Sequence, residues 1–238
     1  MKQHEIVIEA MRKNGGYATL GWLNNAIDFS MWKTKTPQAS VRRIVQTSEE
    51  FFKIRPGLWA LKEFEDIVLS KFNLKTKDNK QEELFTHSYY QGLVVEIGNM
   101  NKFDTFVPAQ DKNRFFLEKP MKELASLKEI YDFTYPEILR LAKTIDVIWF
   151  NERRLPYSFF EIEHTTDMKN SLEKFFELQD YFARFFIVAS VSRKKQFDEL
   201  LSKSIFKSIR NRIDFADYEN IVKQHSKMTE LSMVEHLI

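Results

Sequence analysis

Cysteine is missing altogether, and glycine and proline are scarce, at 6 residues each in a chain of 238. Without cysteine there is no disulfide, no thiolate zinc site and no cysteine nucleophile, so any metal must rest on carboxylates or histidines. Six glycines leave no glycine-rich phosphate loop, and no Gly-x-Ser-x-Gly nucleophile elbow occurs. No apolar run approaches the roughly 18 residues of a membrane helix, and the start, MKQHEIVIEAMRKNGG, is charged. These absences lead to an expectation of a soluble, cytoplasmic protein. Core material is ample: 43% of residues are hydrophobic and 22 are Phe, a composition that folds. The length allows one large domain or two small ones, at about 100–200 residues each.

Charge is uneven. Residues 1–63 hold 10 Lys/Arg and 6 Asp/Glu, a net +4, whereas the remainder holds 26 and 28, a net −2. A small basic piece before a larger, slightly acidic one fits a nucleic-acid-binding module joined to something that needs carboxylates. In the basic piece, apolar spacing predicts a helix over Glu5–Met11, stopped by Asn14-Gly15-Gly16, and another over Leu20–Ile27. Thr36-Pro37 is a cap followed by Pro at the first helical position, so a third helix starts there. Within it Val41, Ile44 and Val45 share one side, leaving Arg42, Arg43 and Gln46 outward. Phe51–Ile54 and Leu58–Leu61 flank Pro56-Gly57, a β-hairpin signal. Three helices and a hairpin make a winged helix over 1–63, which Trp22, Trp32 and Trp59 are expected to fasten together.

The segment TPQASVRRIVQTSEEFFKIRPGLWAL resembles the HARE-HTH group of winged helices, over residues 4–63 or so. The resemblance implies binding to double-stranded DNA, with the third helix in the major groove and the wing on the backbone. Arg42 and Arg43 suit bidentate guanine contacts or phosphate contacts, and Gln46 suits adenine; Lys33, Lys35, Lys53 and Arg55 would hold phosphates. The competing reading is a winged helix that contacts protein, with Arg42 and Arg43 merely solvated.

Residues 64–82, containing most of the polar run KTKDNKQEE, read as a linker or domain edge. Beyond it, 83–238 reads as a second domain. Tyr90, Leu93, Val94 and Ile97 predict a helix from about Glu83 to Ile97. A strand follows from Phe103, then a variable stretch that is helical near Pro136–Ala142. TIDVIWF and YSFFEIEHT are β-prone and separated by the turn-rich NERRLP, which makes a hairpin. A helix capped by Thr166 and running to about Tyr181, a strand from Phe185 and a last helix over Lys194–Ile209 complete the order.

The hairpin carries the chemistry. Asp146 alternates with Ile145 and Val147, and Glu161 and Glu163 alternate with Phe160 and Ile162, so the two glutamates share one strand face and three acids converge. Burying adjacent like charges costs several kcal/mol of solvation unless a cation neutralises them. Oxygen ligands favour Mg²⁺, Mn²⁺ or Ca²⁺. The bland alternative is an acid pair on a solvated strand face.

Ile145-Asp146-Val147 and Phe160-Glu161-Ile162-Glu163-His164-Thr165 resemble the PD-(D/E)XK nuclease superfamily, restriction endonucleases in particular, over residues 83–209 or so. The fold implied is α/β (α+β): a restriction-endonuclease-like αβββαβ core with a separate winged-helix domain. By this resemblance Asp146 and Glu161 would ligate Mg²⁺, or Mn²⁺ in its place, to hydrolyse phosphodiesters, with the Ile162 carbonyl as a further ligand. Glu163 stands where most members have Lys. It offers a base or a second-metal ligand, while Lys169 or Lys174 on the following helix offers the missing charge. His87 and Gln91, four apart on the first helix, are auxiliary candidates, and His164 is read as structural. Cleaving both strands calls for two active sites, which favours a homodimer. The rival functions are a non-catalytic DNA-binding regulator and a protein-interaction adaptor.

Overall fold

The computed structural model describes residues 2–75, 78–164 and 167–235. The chain divides into two compact units, Met1–Glu82 with Val222–Ile238, and Glu83–Ile221.

The first unit contains α1 (Gln3–Lys13), β1 (Tyr17–Thr19), α2 (Leu20–Ala26), α3 (Pro37–Thr47), β2 (Phe51–Arg55), β3 (Leu58–Leu61) and α4 (Glu65–Lys71). The three expected helices bury one stripe each: Val7 and Met11 from α1, Leu23 from α2, Val41 and Val45 from α3, closed by Phe51 and Leu61 of the strands. α1 stops where Gly15 and Gly16 take φ of 79° and 90°, a region that costs an L side chain strain. Pro37 opens α3, although Thr36 makes no side-chain cap bond. The sheet has one strand more than the sequence pattern predicts. Tyr17–Thr19, too short to show alternation, pairs antiparallel with Leu58–Ala60 and sets the order β1-β3-β2. Trp32 is buried and Trp59 half-buried against the core, while Trp22 lies at the surface.

Residues 64–82 differ from the expected linker. Their described residues include α4 and the first turn of the next helix, with Val68 wholly buried and Phe72 edge-on against Tyr17 at 4.9 Å. The first unit also takes back the chain's last long helix, as His225, Ser226 and Thr229 are buried. A Cβ on Gly21 would come within 2.9 Å of Thr229 Oγ1, so glycine is what lets these two helices meet closely.

The second unit follows with α5 (Asn79–Met100), β4 (Asp104–Phe106), β5 (Phe115–Phe116), β6 (Lys119–Pro120), α6 (Met121–Leu124), α7 (Pro136–Ala142), β7 (Val147–Phe150), β8 (Pro156–Glu163), α8 (Met168–Glu177), β9 (Arg184–Ala189), α9 (Lys194–Leu201), β10 (Ile213–Asp217) and α10 (Tyr218–Glu235). The unit boundaries fall inside α5 and α10. Five strands form one mixed sheet in the order β10-β9-β8-β7-β4. β4, β7 and β8 run antiparallel, and β8, β9 and β10 parallel. This is the expected mixed α+β, restriction-endonuclease-like arrangement, the αβββαβ order being α5, β4, β7, β8, α8, β9. Its core is Ile148, Phe150, Phe159, Leu172, Phe175 and Phe185 with their neighbours.

Two details depart from the sequence reading, and a third expectation falls outside the described residues. The helix expected over Lys194–Ile209 ends at Leu201 and gives way to short 3-10 turns. β10 and α10 were not anticipated. β10 is a half-buried edge strand with Asp214 and Asp217, and charges on an edge hide its alternation while blocking unwanted pairing. Thr166, expected to cap the helix after β8, lies outside the described residues; Asp167 caps α8, its carboxylate accepting from Lys169 N at 3.1 Å.

Gly92 in α5 is a close-approach position, because a Cβ there would lie 2.2 Å from Phe116 Cγ and 2.6 Å from its Cβ. Gly→Ala in an open helix gains about 1 kcal/mol, but overpacking costs about 1–3 kcal/mol, and here the clash reaches the root of the side chain. Gly92→Ala is therefore expected to lower the urea midpoint. A midpoint at or above wild type would show that the β5–β6 hairpin moves freely.

Candidate active site

The β7–β8 connection fixes the register on which the site depends. Asn151 Oδ1 accepts from Arg153 N at 3.0 Å and Leu155 N at 3.1 Å, and Arg154 turns the chain at φ 60°. Val147 then pairs with Phe160 and Ile148 with Phe159. One step further in this register, Asp146 stands opposite Glu161, and residues opposite each other project to the same face. The Asp146 carboxylate also accepts from Ile162 N at 2.7 Å, which ties the first acid to the strand of the other two.

The acids are not solvated. Glu161 is 4% and Glu163 3% exposed, so the bland reading of an exposed acid pair fails. α8 compensates them. Lys174 Nζ lies 3.0 Å from both oxygens of Glu161 and donates to Thr144 O at 3.2 Å. Ser171 Oγ contacts Glu161 Oε2 at 2.9 Å and also Glu163 Oε1, and Arg193 Nη1 lies 3.6 Å from Glu163 Oε2. Burial, helped by the Asp146 charge, pushes the Glu161 carboxyl up to about 8 against the pull of Lys174 and Ser171. The Ser171 contacts agree with that: one hydroxyl carries one proton, so if it donates to Glu163, the second contact needs a proton on Glu161.

α5 approaches with His87 and Gln91. His87 Nε2 is 3.2 Å from Asp146 Oδ2, and Gln91 Nε2 donates to Asp146 O at 2.8 Å and to Asp111 Oδ2 at 2.9 Å. Burial pulls the His87 imidazole down, but the charge and hydrogen bond of Asp146, with Asp111 behind it, raise it above its ordinary value. Asp111 is the site residue that sequence reasoning missed. It lies on the loop after β4, 2% exposed, with Arg114 Nη1 2.9 Å from its Oδ1. Loops have no periodicity; the one local signal was an acid and an arginine three residues apart just beyond a strand.

The structure thus brings Asp146, Glu161, Glu163, His87 and Gln91 to one end of the sheet. It sends Lys169 elsewhere, into an ion pair with Glu173 at 3.1 Å, and Lys174 takes the place beside the acids. His164 is half-buried, its ring stacked 6.5 Å from that of Tyr218. In the first unit Arg43 and Gln46 are exposed on α3, Arg42 is half-buried there, and Lys33, Lys35 and Lys53 are exposed. The Arg55 guanidinium holds Glu82 Oε1 and the Ile54 carbonyl, each at 2.8 Å.

Residues 68–237, well over half of the chain, match the family model of the type II restriction enzyme NmeDI C-terminal domain. The chain belongs to this family. No curated protein and no solved structure matches it. The match to the NmeDI C-terminal domain covers the whole acid-bearing sheet, from α5 through β10. Among the described residues no helix is long and apolar enough to cross a membrane.

A carboxyl raised in the folded state favours folding while protonated. Its contribution is complete below about 4.5, the ordinary value, and is lost as pH rises to about 8. In a chelator-containing buffer, Glu161→Gln should therefore gain stability relative to wild type between pH 5 and 8 in urea titrations. A difference that does not change with pH would contradict the raised pKa.

Proposed function

We propose that this protein is a divalent-metal-dependent restriction endonuclease of the PD-(D/E)XK kind, in which the second unit hydrolyses phosphodiesters of double-stranded DNA and the first, a winged helix, selects the site. The observation that carries the reading is the set of buried Glu161 with half-buried Asp146 and Lys174 at one end of an αβββαβ sheet, in a chain of a type II restriction enzyme family. The donor set suits a hard divalent cation, Mg²⁺ or Mn²⁺: carboxylate oxygens, no sulfur, and a Glu161 whose charge burial and Asp146 both oppose. Asp146 and Glu161 would hold it. When bound, such an ion supplies the charge stabilisation and the activation of water that phosphodiester hydrolysis requires.

The chain's own residues supply the rest. Lys174 places a positive charge beside Glu161, which makes it the counterpart of the lysine that Glu163 displaces. Gln91 orients Asp146 through its main-chain carbonyl. Glu163, engaged by Ser171 and Arg193, fixes the position of Ser171 rather than standing free as a base. On the first unit, Arg42, Arg43, Gln46, Lys33 and Lys35 form the DNA-facing set, and none of the four cations is in an ion pair among the described residues. Arg55 serves the unit's own structure through Glu82. Double-strand cleavage by one such site per chain would require a homodimer on the DNA.

Methylated and unmethylated plasmid incubated with Mg²⁺, Mn²⁺ or EDTA tests the reading. Discrete fragments that need metal are expected, and with Asp146→Asn or Glu161→Gln they should vanish. Lys174→Gln should slow cleavage by roughly 10²-fold or more, the scale of a lost transition-state charge contact, while Lys169→Gln stays near wild type. Intact DNA in every lane, from a protein that binds it, would identify a non-catalytic regulator instead. Arg42→Glu with Arg43→Glu should weaken DNA affinity and flatten its salt dependence by about one unit of slope per lost phosphate contact; unchanged binding would leave the winged helix to a protein partner.

A further inference from the structure

We propose that the β5–β6 hairpin is a wedge: on bound duplex, Phe115 enters the base stack beside the phosphate presented to the acids and unstacks one step. The inference rests on the nuclease reading above and deepens it, since it says how the acid-bearing unit holds its substrate where it cuts.

Strand alternation decides which of two adjacent aromatics faces out. Phe115 pairs with Pro120 and Phe116 with Lys119, and successive side chains of a strand point to opposite faces. Phe116 is 6% exposed, set into the notch that Gly92 leaves in α5 and stacked 5.9 Å from Tyr89. The inward place is thereby taken, and Phe115 stands 59% exposed. A lone apolar side chain at a surface is ordinary, but this one is held out rigidly. Met121 N donates to Arg114 O and Lys122 N to Lys112 O, both at 2.9 Å, which ties the hairpin across its base. At its tip Leu117 takes φ of 53°. That conformation strains a leucine, and such strain persists where the surroundings over-determine it and gathers at functional sites.

Position and charge choose the occupant. Gln91 Nε2 donates to both Asp111 Oδ2 and Asp146 O, and a carboxylate oxygen of Asp111 lies within 4.8 Å of one of Asp146. Phe115 is four residues on from Asp111, so their Cα atoms are no more than about 15 Å apart, the length of about four base steps of duplex. Residues 112–122 carry four cations, Lys112, Arg114, Lys119 and Lys122, against Glu118 alone, whereas the chain after residue 63 is net −2. Three of the four are engaged locally, Lys112 by Glu129, Arg114 by Asp111 and Lys122 by Asn113. Lys119 is exposed and in no ion pair among the described residues. An apolar ring with a free cation at its side, next to carboxylates that act on a phosphodiester, matches a ligand with a charged backbone and an apolar interior. Duplex DNA has both, and apolar wedges enter it between base pairs, unstack the step and kink the axis.

The test is topological. Relaxed plasmid is incubated in EDTA with the full chain and a topoisomerase that needs no metal, then freed of protein and its linking number read on a gel. Wild type should leave negative supercoils, because an unstacked step is unwound. Phe115→Ala should bind the plasmid comparably, since phosphate contacts dominate affinity, and leave few or none, whereas Phe115→Leu, still an apolar wedge, should keep most. Lys119→Gln should weaken binding yet keep the supercoiling per bound protein. With Mg²⁺, Phe115→Ala should slow cleavage by about 10²-fold, the effect of a substrate misplaced by about 1 Å. Phe115 is exposed, so its variants should share the wild-type urea midpoint, which separates a lost wedge from a lost fold. Supercoiling that is equal in wild type and Phe115→Ala, or absent with wild type, would overturn the proposal. Metal-dependent cutting by wild type judges the nuclease reading separately: cutting without Phe115-dependent supercoiling sinks only the wedge, and Phe115-dependent supercoiling without cutting sinks only that reading.

Discussion

Two carboxylates, Glu161 and Glu163, leave water together at the end of one β-hairpin with Asp146 half-buried beside them, and the second unit is organised around that. Removing an ionised carboxylate from water costs several kcal/mol even after the protein relaxes, and Asp146, Glu161 and Glu163 sit close enough to add repulsion to desolvation. The chain answers with Lys174 and Ser171 from α8, Arg193 after β9, and His87 and Gln91 from α5. α5, α8 and the turn after β9 thus each deliver a cation or a donor to the same place. A set assembled at this cost has little purpose as scaffold, because apolar residues of similar volume are often as stable or more so.

The same constraint explains the rigidity around the site. The Asn151 turn sets the register of β7 and β8, and a slip of one residue would turn Glu161 and Glu163 to the opposite face. Gly92 lets Phe116 lie against α5 one residue after Gln91, and the loop that leads to Phe116 bears Asp111. The position of Asp111 therefore depends on a missing methyl group one residue from the glutamine that binds it.

Much of this was legible in the sequence because hairpins and amphipathic helices have short periods. Alternation in DVIWF and FFEIE located the acids and the face they share, and spacing of four placed His87 beside Gln91. The parts that were not legible lack a period or depend on length. Lys169 and Lys174 are both on α8, and only the position of the helix on the sheet decides that Lys174 reaches Glu161 while Lys169 turns to Glu173. Asp111 sits on a loop. β1 is three residues long, and β10 is an edge strand whose acids obscure its alternation. The polar run 75–83 looked like a linker because surface charge dominates it, although Val68 and Phe72 just before it are buried.

The return of α10 to the first unit has a consequence for how such a chain changes. A module confined to one end of a gene is exchanged by a single recombination event. Here the first unit is assembled from both ends of the chain, Met1–Glu82 and Val222–Ile238, with the acid-bearing unit set between them. Gly21 admits α10 residues Thr229 and His225 so closely that the two segments must match in shape. Replacing residues 1–82 alone would set a foreign α2 surface against α10, so this unit keeps its packing only when both segments change together.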